Sequence, residues 1–174
     1  NDLNAPDNRG TLSLLGRIST FGNFIPGMVS AIADGQLERE TVLDITRSAW
    51  RDTIDAADLF NDPGRFTTFV GYEYSSHRLG SNLHRNVIFR NSRVPRSPIS
   101  FMDVRRVWQL WELLRETCLE SGTGCDGLAI PHNSNISNGR MFAVDYPETT
   151  DFEAEVARAR LRARVEPLVE VMQH

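Results

Sequence analysis

Lysine is missing from this sequence altogether: all 19 of the basic side chains among its 174 residues are arginines. A P-loop lysine, a kinase strand lysine, a Schiff-base lysine and a Ser-x-x-Lys pair are therefore excluded. Long apolar runs are missing too, none nearing the roughly 18 residues of a membrane span, and no basic, apolar leader opens the chain. There is no Gly-x-Ser-x-Gly elbow, and the pairing of Cys125 with His132 fits no thiol-enzyme signature. Strong charge of either sign is absent as well. Against those arginines stand 23 acidic residues, for a net charge of −4, which argues against a nucleic-acid binder held by bulk basicity.

What is present suffices for a folded domain, since 40% of the residues are hydrophobic and the length suits one domain of ordinary size. The chain opens on Asn1 and stops at His174, directly after the strand-like run Pro167 to Met172. It is therefore expected to be the central segment of a larger protein, irregular over 1–38 and folded over 39–174. Only two cysteines occur. Cys118 and Cys125 flank the flexible turn Ser121-Gly122-Thr123-Gly124, and either a disulfide or two unrelated thiols is compatible with that spacing. Pairing would place the protein in the periplasm or outside the cell, and free thiols in the cytoplasm.

Periodicity outlines the elements. From Arg39 to Phe60, Val42, Ile45, Ala49, Trp50, Ile54 and Ala57 mark one helical face before Asn61-Asp62-Pro63-Gly64 ends it. Phe66 to Tyr72 and Asn86 to Phe89 read as strands buried on both faces. Ser100 and Asp103 resemble a capping box for a helix bearing Val104, Val107, Trp108, Trp111, Leu114 and Cys118, with Gly122 as its left-handed cap. Leu128 to Ile130 is a short strand, Phe152 to Arg164 a charged helix, and Leu168 to Met172 a last strand. This alternation predicts an α/β fold of mostly parallel strands with covering helices. Arg158, Arg160, Arg162 and Arg164 spread around a helix rather than forming one basic face, so no nucleic-acid surface is expected there.

The side chains able to hold metal fall at strand ends. Glu73 follows the Phe66 to Tyr72 strand, His132 follows Leu128 to Pro131, and Glu170 and His174 lie within or just beyond the last strand. His84 heads the strand after Glu73 and reaches the same place if Ser75 to Asn82 is a tight connection. Two or more imidazoles with a carboxylate suit Zn, Mn or Fe, and such an ion activates water without lysine or serine. His77, in a polar loop, reads as solvent-exposed. The loop Asn133 to Arg140 supplies amides and one guanidinium beside His132, which makes Asn133, Asn135 and Arg140 candidates for recognising substrate oxygens; the same composition also describes a plain surface turn.

Four strings in order, Phe66 to Tyr74, Asn82 to Val87, Ala129 to Asn135 with Asn138 to Phe142, and Glu166 to His174, resemble a bacterial family, domain-of-unknown-function family 3604. That family is similar to the polymerase-and-histidinol-phosphatase (PHP) superfamily. The resemblance implies a partial, distorted (β/α)7 barrel of the TIM type, with two or three metal ions at its C-terminal mouth. It also implies metal-ligand roles for Glu73, His84 and His132, and His174, just beyond the last expected strand, is a fourth candidate by its position. The His-x-His and Asp-x-His pairs of PHP proteins do not occur in these residues. The function expected is that of a metal-dependent hydrolase acting on a small, phosphorylated substrate; the alternative is a structural or partner-binding module with an incomplete metal site. Exposed barrel edges would make the segment self-associate.

Overall fold

The computed structural model describes residues 31, 34, 35 and 38–172, apart from 77–79, 145, 147 and 150. Its contacts divide the chain into two units, Asn1–Thr46 and Arg47–His174. Of the first, little beyond the opening of helix α1 (Arg39–Phe60) is described. The second holds everything that follows.

Helix α1 ends where the sequence indicates. Asn61 N–H closes onto the Ala57 carbonyl, the Thr68 hydroxyl donates to the same oxygen, and Gly64 at φ 89° reverses the chain with no Cβ penalty. Strand β1 (Val70–Tyr74) then pairs with β2 (Arg85–Phe89), and β2 pairs with β3 (Gly127–Pro131). Between β2 and β3 lie helix α2 (Val107–Leu114) and a π-helical turn, Arg115–Leu119. Helix α3 (Phe152–Val165) follows β3 and packs on α2 and β3; its N-cap Asp151 accepts from Ala154 N–H at 2.8 Å, satisfying an otherwise orphaned donor.

Both pairings are antiparallel, with Tyr74 opposite Arg85 and Arg85 opposite Pro131. The expected barrel of parallel strands is thus not what forms: the sheet is open, three-stranded and antiparallel in the order β1-β2-β3. The connection between β1 and β2 shows why. A parallel return needs a crossover of about a dozen or more residues, usually α-helical, and residues 75–84 contain no α-helix among those described. The β2 to β3 connection does contain one, yet its register is antiparallel as well.

Other expectations shift in detail. Phe66 and Phe69 lie before β1 and are mostly exposed, so the aromatic run does not form a strand buried on both faces. Ser100 and Asp103 do bond, Ser100 Oγ donating to Asp103 Oδ2 at 2.7 Å, but they close a turn, and α2 begins later, capped at Arg106. Leu168 to Met172 joins no ladder; it touches β3 through Glu170 N–H to the Pro131 carbonyl at 3.1 Å. Cys118 and Cys125 are joined as a disulfide.

Strand alternation gives the sheet two unlike faces. Tyr72, Tyr74, Arg85, Val87, Phe89 and Ala129 point to the core, where Trp50, Trp108, Leu110, Trp111, Leu114 and Val165 close over them. Trp50 meets Tyr72 edge-on at 5.6 Å, a favoured aromatic geometry. Arg85 is the anomaly on that face, 1% exposed and paired with Glu166 at 3.0 Å. Glu73, His84, Asn86 and His132 fall on the other face.

Candidate functional site

The antiparallel meander brings the C-terminal end of β1, the head of β2 and the end of β3 to one end of the sheet. Glu73 sits opposite Asn86, His84 immediately precedes β2, and His132 N–H donates to the His84 carbonyl at 3.1 Å. The ladder therefore runs one step past the strands and places the two imidazoles side by side, ring centres 5.9 Å apart.

Each imidazole has a carboxylate. His84 Nδ1 lies 2.9 Å from Glu73 Oε1, which also accepts from the Ser75 hydroxyl at 2.7 Å. The hydrogen bond from His84 holds the Glu73 carboxyl down at about 2; partial burial opposes this and Ser75 reinforces it. His132 Nδ1 lies 3.7 Å from Glu170 Oε2, and that oxygen accepts from Asn133 N–H at 2.9 Å.

Asn133 is buried and fixes the orientation of its neighbours. Its Oδ1 accepts from Asn135 N–H at 3.1 Å, which turns Nδ2 toward His132 Nδ1 at 2.9 Å and Glu170 Oε2 at 3.4 Å. The carboxylate beside His84 assigns its tautomer. Nδ1 of His84 donates to Glu73, so its lone pair is on Nε2. His132 Nδ1 lies within reach of both Asn133 Nδ2 and Glu170 Oε2, so its role follows the tautomer.

The loop after His132 is tied to the β1–β2 connection. Ser81, fully buried, accepts from Asn138 Nδ2 and Arg140 Nη1, both at 3.1 Å, and Asn82 N–H donates to the Ile136 carbonyl at 3.0 Å. Ile136 and Asn138 have φ of 58° and 52°, a left-handed region costly for a β-branched side chain. Cross-links of this kind hold the loop in that strained form.

Of the sequence-derived candidates, Glu73, His84 and His132 come together. Asn135 is exposed in the adjoining loop, Asn133 organises His132 and Glu170 from within, and Arg140 reaches Ser81. His174 and His77 lie outside the described residues. Glu170 stands at the centre of the His132 cluster, although its sequence signal was only a carboxylate in an expected strand. Among the described residues, no three His, Cys, Asp or Glu side chains are arranged as they stand to hold a metal ion, and no helix is long and apolar enough to cross a membrane.

The fold and this patch define a small α+β domain with two carboxylate-supported histidines at the open end of an antiparallel sheet. The chain belongs to the family described as "Protein of unknown function (DUF3604)", which it matches over residues 2–174. No curated protein and no solved structure matches it.

Proposed function

We propose that this chain contributes the centre of a metal-dependent hydrolase that cleaves phosphoesters, and that Glu73, His84 and His132 hold the metal. The observation that carries the reading is the pairing of His84 with Glu73 beside His132 at one sheet end. The likeness of its motifs to PHP proteins points the same way.

The donor chemistry fits Zn, Mn or Fe, because imidazole nitrogen and carboxylate oxygen suit these cations. A carboxylate on Nδ1 is the usual partner that orients a ligating histidine and raises its basicity, and Glu73 stands in that position to His84. Such an ion, when bound, supplies hydroxide near neutral pH. Glu73 stays ionised throughout that range. Asn133 Nδ2, 2.9 Å from His132 Nδ1, holds the ring in place.

Elemental analysis of the purified chain tests this. Near-stoichiometric Zn, Mn or Fe, lost in the Glu73→Ala, His132→Ala double variant, is the expected result. A folded chain that stays metal-free after incubation with all three ions would overturn it. That outcome favours the second reading, a structural or partner-binding module with an incomplete metal site.

A further inference from the structure

On the other side of the sheet from the histidines lies a cavity of about 280 Å³, near the lower limit of small-molecule sites. Arg85, at the end of β2, reaches it from the core face, and residues around α2, the 140–146 segment and α3 enclose the rest. We propose that this cavity is a second binding site, for a small planar organic anion such as an aryl carboxylate, sulfonate or phosphate. The inference does not depend on the metal reading.

Charge is the first argument. Five guanidiniums line the cavity, from Arg85, Arg105, Arg106, Arg140 and Arg162, and no carboxylate does. Two carboxylates reach this set from outside: Glu166 is shared by Arg85 at 3.0 Å and Arg162 at 3.4 Å, and Glu148 meets Arg106 at 2.7 Å. Five cations against two anions leave three positive charges in excess around one largely apolar space. Arg105 and Arg140 have no carboxylate partner among the described residues. Both line the cavity while exposed to solvent, so an anion reaches them without displacing an existing ion pair.

Geometry is the second argument, and it gives the ligand its shape. Trp108, Trp111 and Tyr146 also line the cavity, with Tyr146 edge-on to both tryptophans at 5.9 Å. Arg106 stacks over Trp108 at 5.2 Å and Arg162 over Trp111 at 5.7 Å. A stacked guanidinium keeps its N–H donors in the plane, directed sideways to an oxyanion. Arg85 is held from three directions, Nε by Glu166 and its two Nη atoms by the Leu83 and Met141 carbonyls, so it is a fixed cation rather than a mobile one. Aromatic walls overlaid by planar cations match a small aromatic body carrying a negative group.

The test is a titration of the intact chain with 1-naphthalenesulfonate, followed by tryptophan fluorescence, with 1-naphthalenemethanol and inorganic sulfate as comparators. Saturable binding of the sulfonate is expected, at least about tenfold tighter than either comparator, with Arg105→Gln and Arg140→Gln each weakening it about tenfold. Both arginines are exposed, and an unchanged thermal melt confirms that the variants fold. His84→Ala should leave the affinity within twofold, which separates this site from the metal reading. Equal binding of the neutral arene or of sulfate alone, indifference to both arginine variants, or no saturation at millimolar ligand would each overturn the proposal.

Discussion

Glu166 is the residue on which most buried charge converges. Its carboxylate is 2% exposed and pairs with Arg85, itself 1% exposed, while Trp111 Nε1 donates to it at 2.7 Å. Removing one partner of such a pair leaves the other charged and unpaired, at a typical cost of 3–5 kcal/mol. Glu166→Ala should therefore lower unfolding stability by about that amount in urea, and a loss below about 1 kcal/mol would mean that Arg162 or solvent compensates Arg85. Glu73 behaves differently because it is 43% exposed, so its ion pair is worth no more than about 1 kcal/mol after screening. Its carboxyl is lowered from 4.5 to about 2 in the folded protein. The stabilisation is thus complete above pH 4.5 and is lost as pH falls toward 2. Wild type should be more stable than Glu73→Gln at pH 6, with the two acid-unfolding curves converging near pH 2; a gap that widens on acidification would contradict this.

At the scale of elements, the disulfide joins the π-helical turn after α2 to the approach to β3, closing a loop of sequence separation 7. Chain-entropy arguments assign such a loop about 2.5 kcal/mol, which in a chain of this length corresponds to a drop of roughly 5–10 °C in Tm on reduction. A melt in dithiothreitol, and the Cys118→Ala, Cys125→Ala variant, measure it; an unchanged Tm would show that the turn holds without the bond. The elements themselves were legible where periodicity is long. Helix α1 occupies the residues its apolar spacing marks, and the arginine-rich stretch is helical, with Arg158 paired to Glu112 and Arg164 to Glu120. Strand direction was not legible, because apolar runs such as Asn86 to Phe89 look the same in parallel and antiparallel ladders. The strand-end logic still gathered Glu73, His84 and His132, since an antiparallel meander brings one strand's end beside the next strand's head. What escaped the sequence was Asn133 as an organiser and the Arg85–Glu166 pair, both of which depend on partners 37 and 81 residues away.

At the scale of the whole molecule, a run of apolar side chains beside β3 is exposed among the described residues. Leu168, Val169, Val171 and Met172 are between 47% and 86% exposed, next to a sheet with open edges, and contiguous apolar surface of this kind is usually covered by another surface. The purified chain should associate, with a light-scattering mass that rises with concentration and a Val171→Glu, Met172→Glu variant that stays closer to the monomer. A wild-type chain that remains strictly monomeric would show that these residues tolerate solvent.

His84 and Arg85 are neighbours in sequence, yet one belongs to the histidine patch and the other to the core. Nothing but the two-residue repeat of the strand keeps them apart, so the sheet works as a ruler with a single correct setting. A slip by one residue would bury an imidazole against Tyr74 and put the guanidinium out of reach of Glu166, damaging both sides at once. The tolerance of the chain to insertions should therefore be sharply uneven. One glycine added directly before Gly80, itself exposed, leaves the register intact, whereas the same glycine between Arg85 and Phe89 abolishes folding.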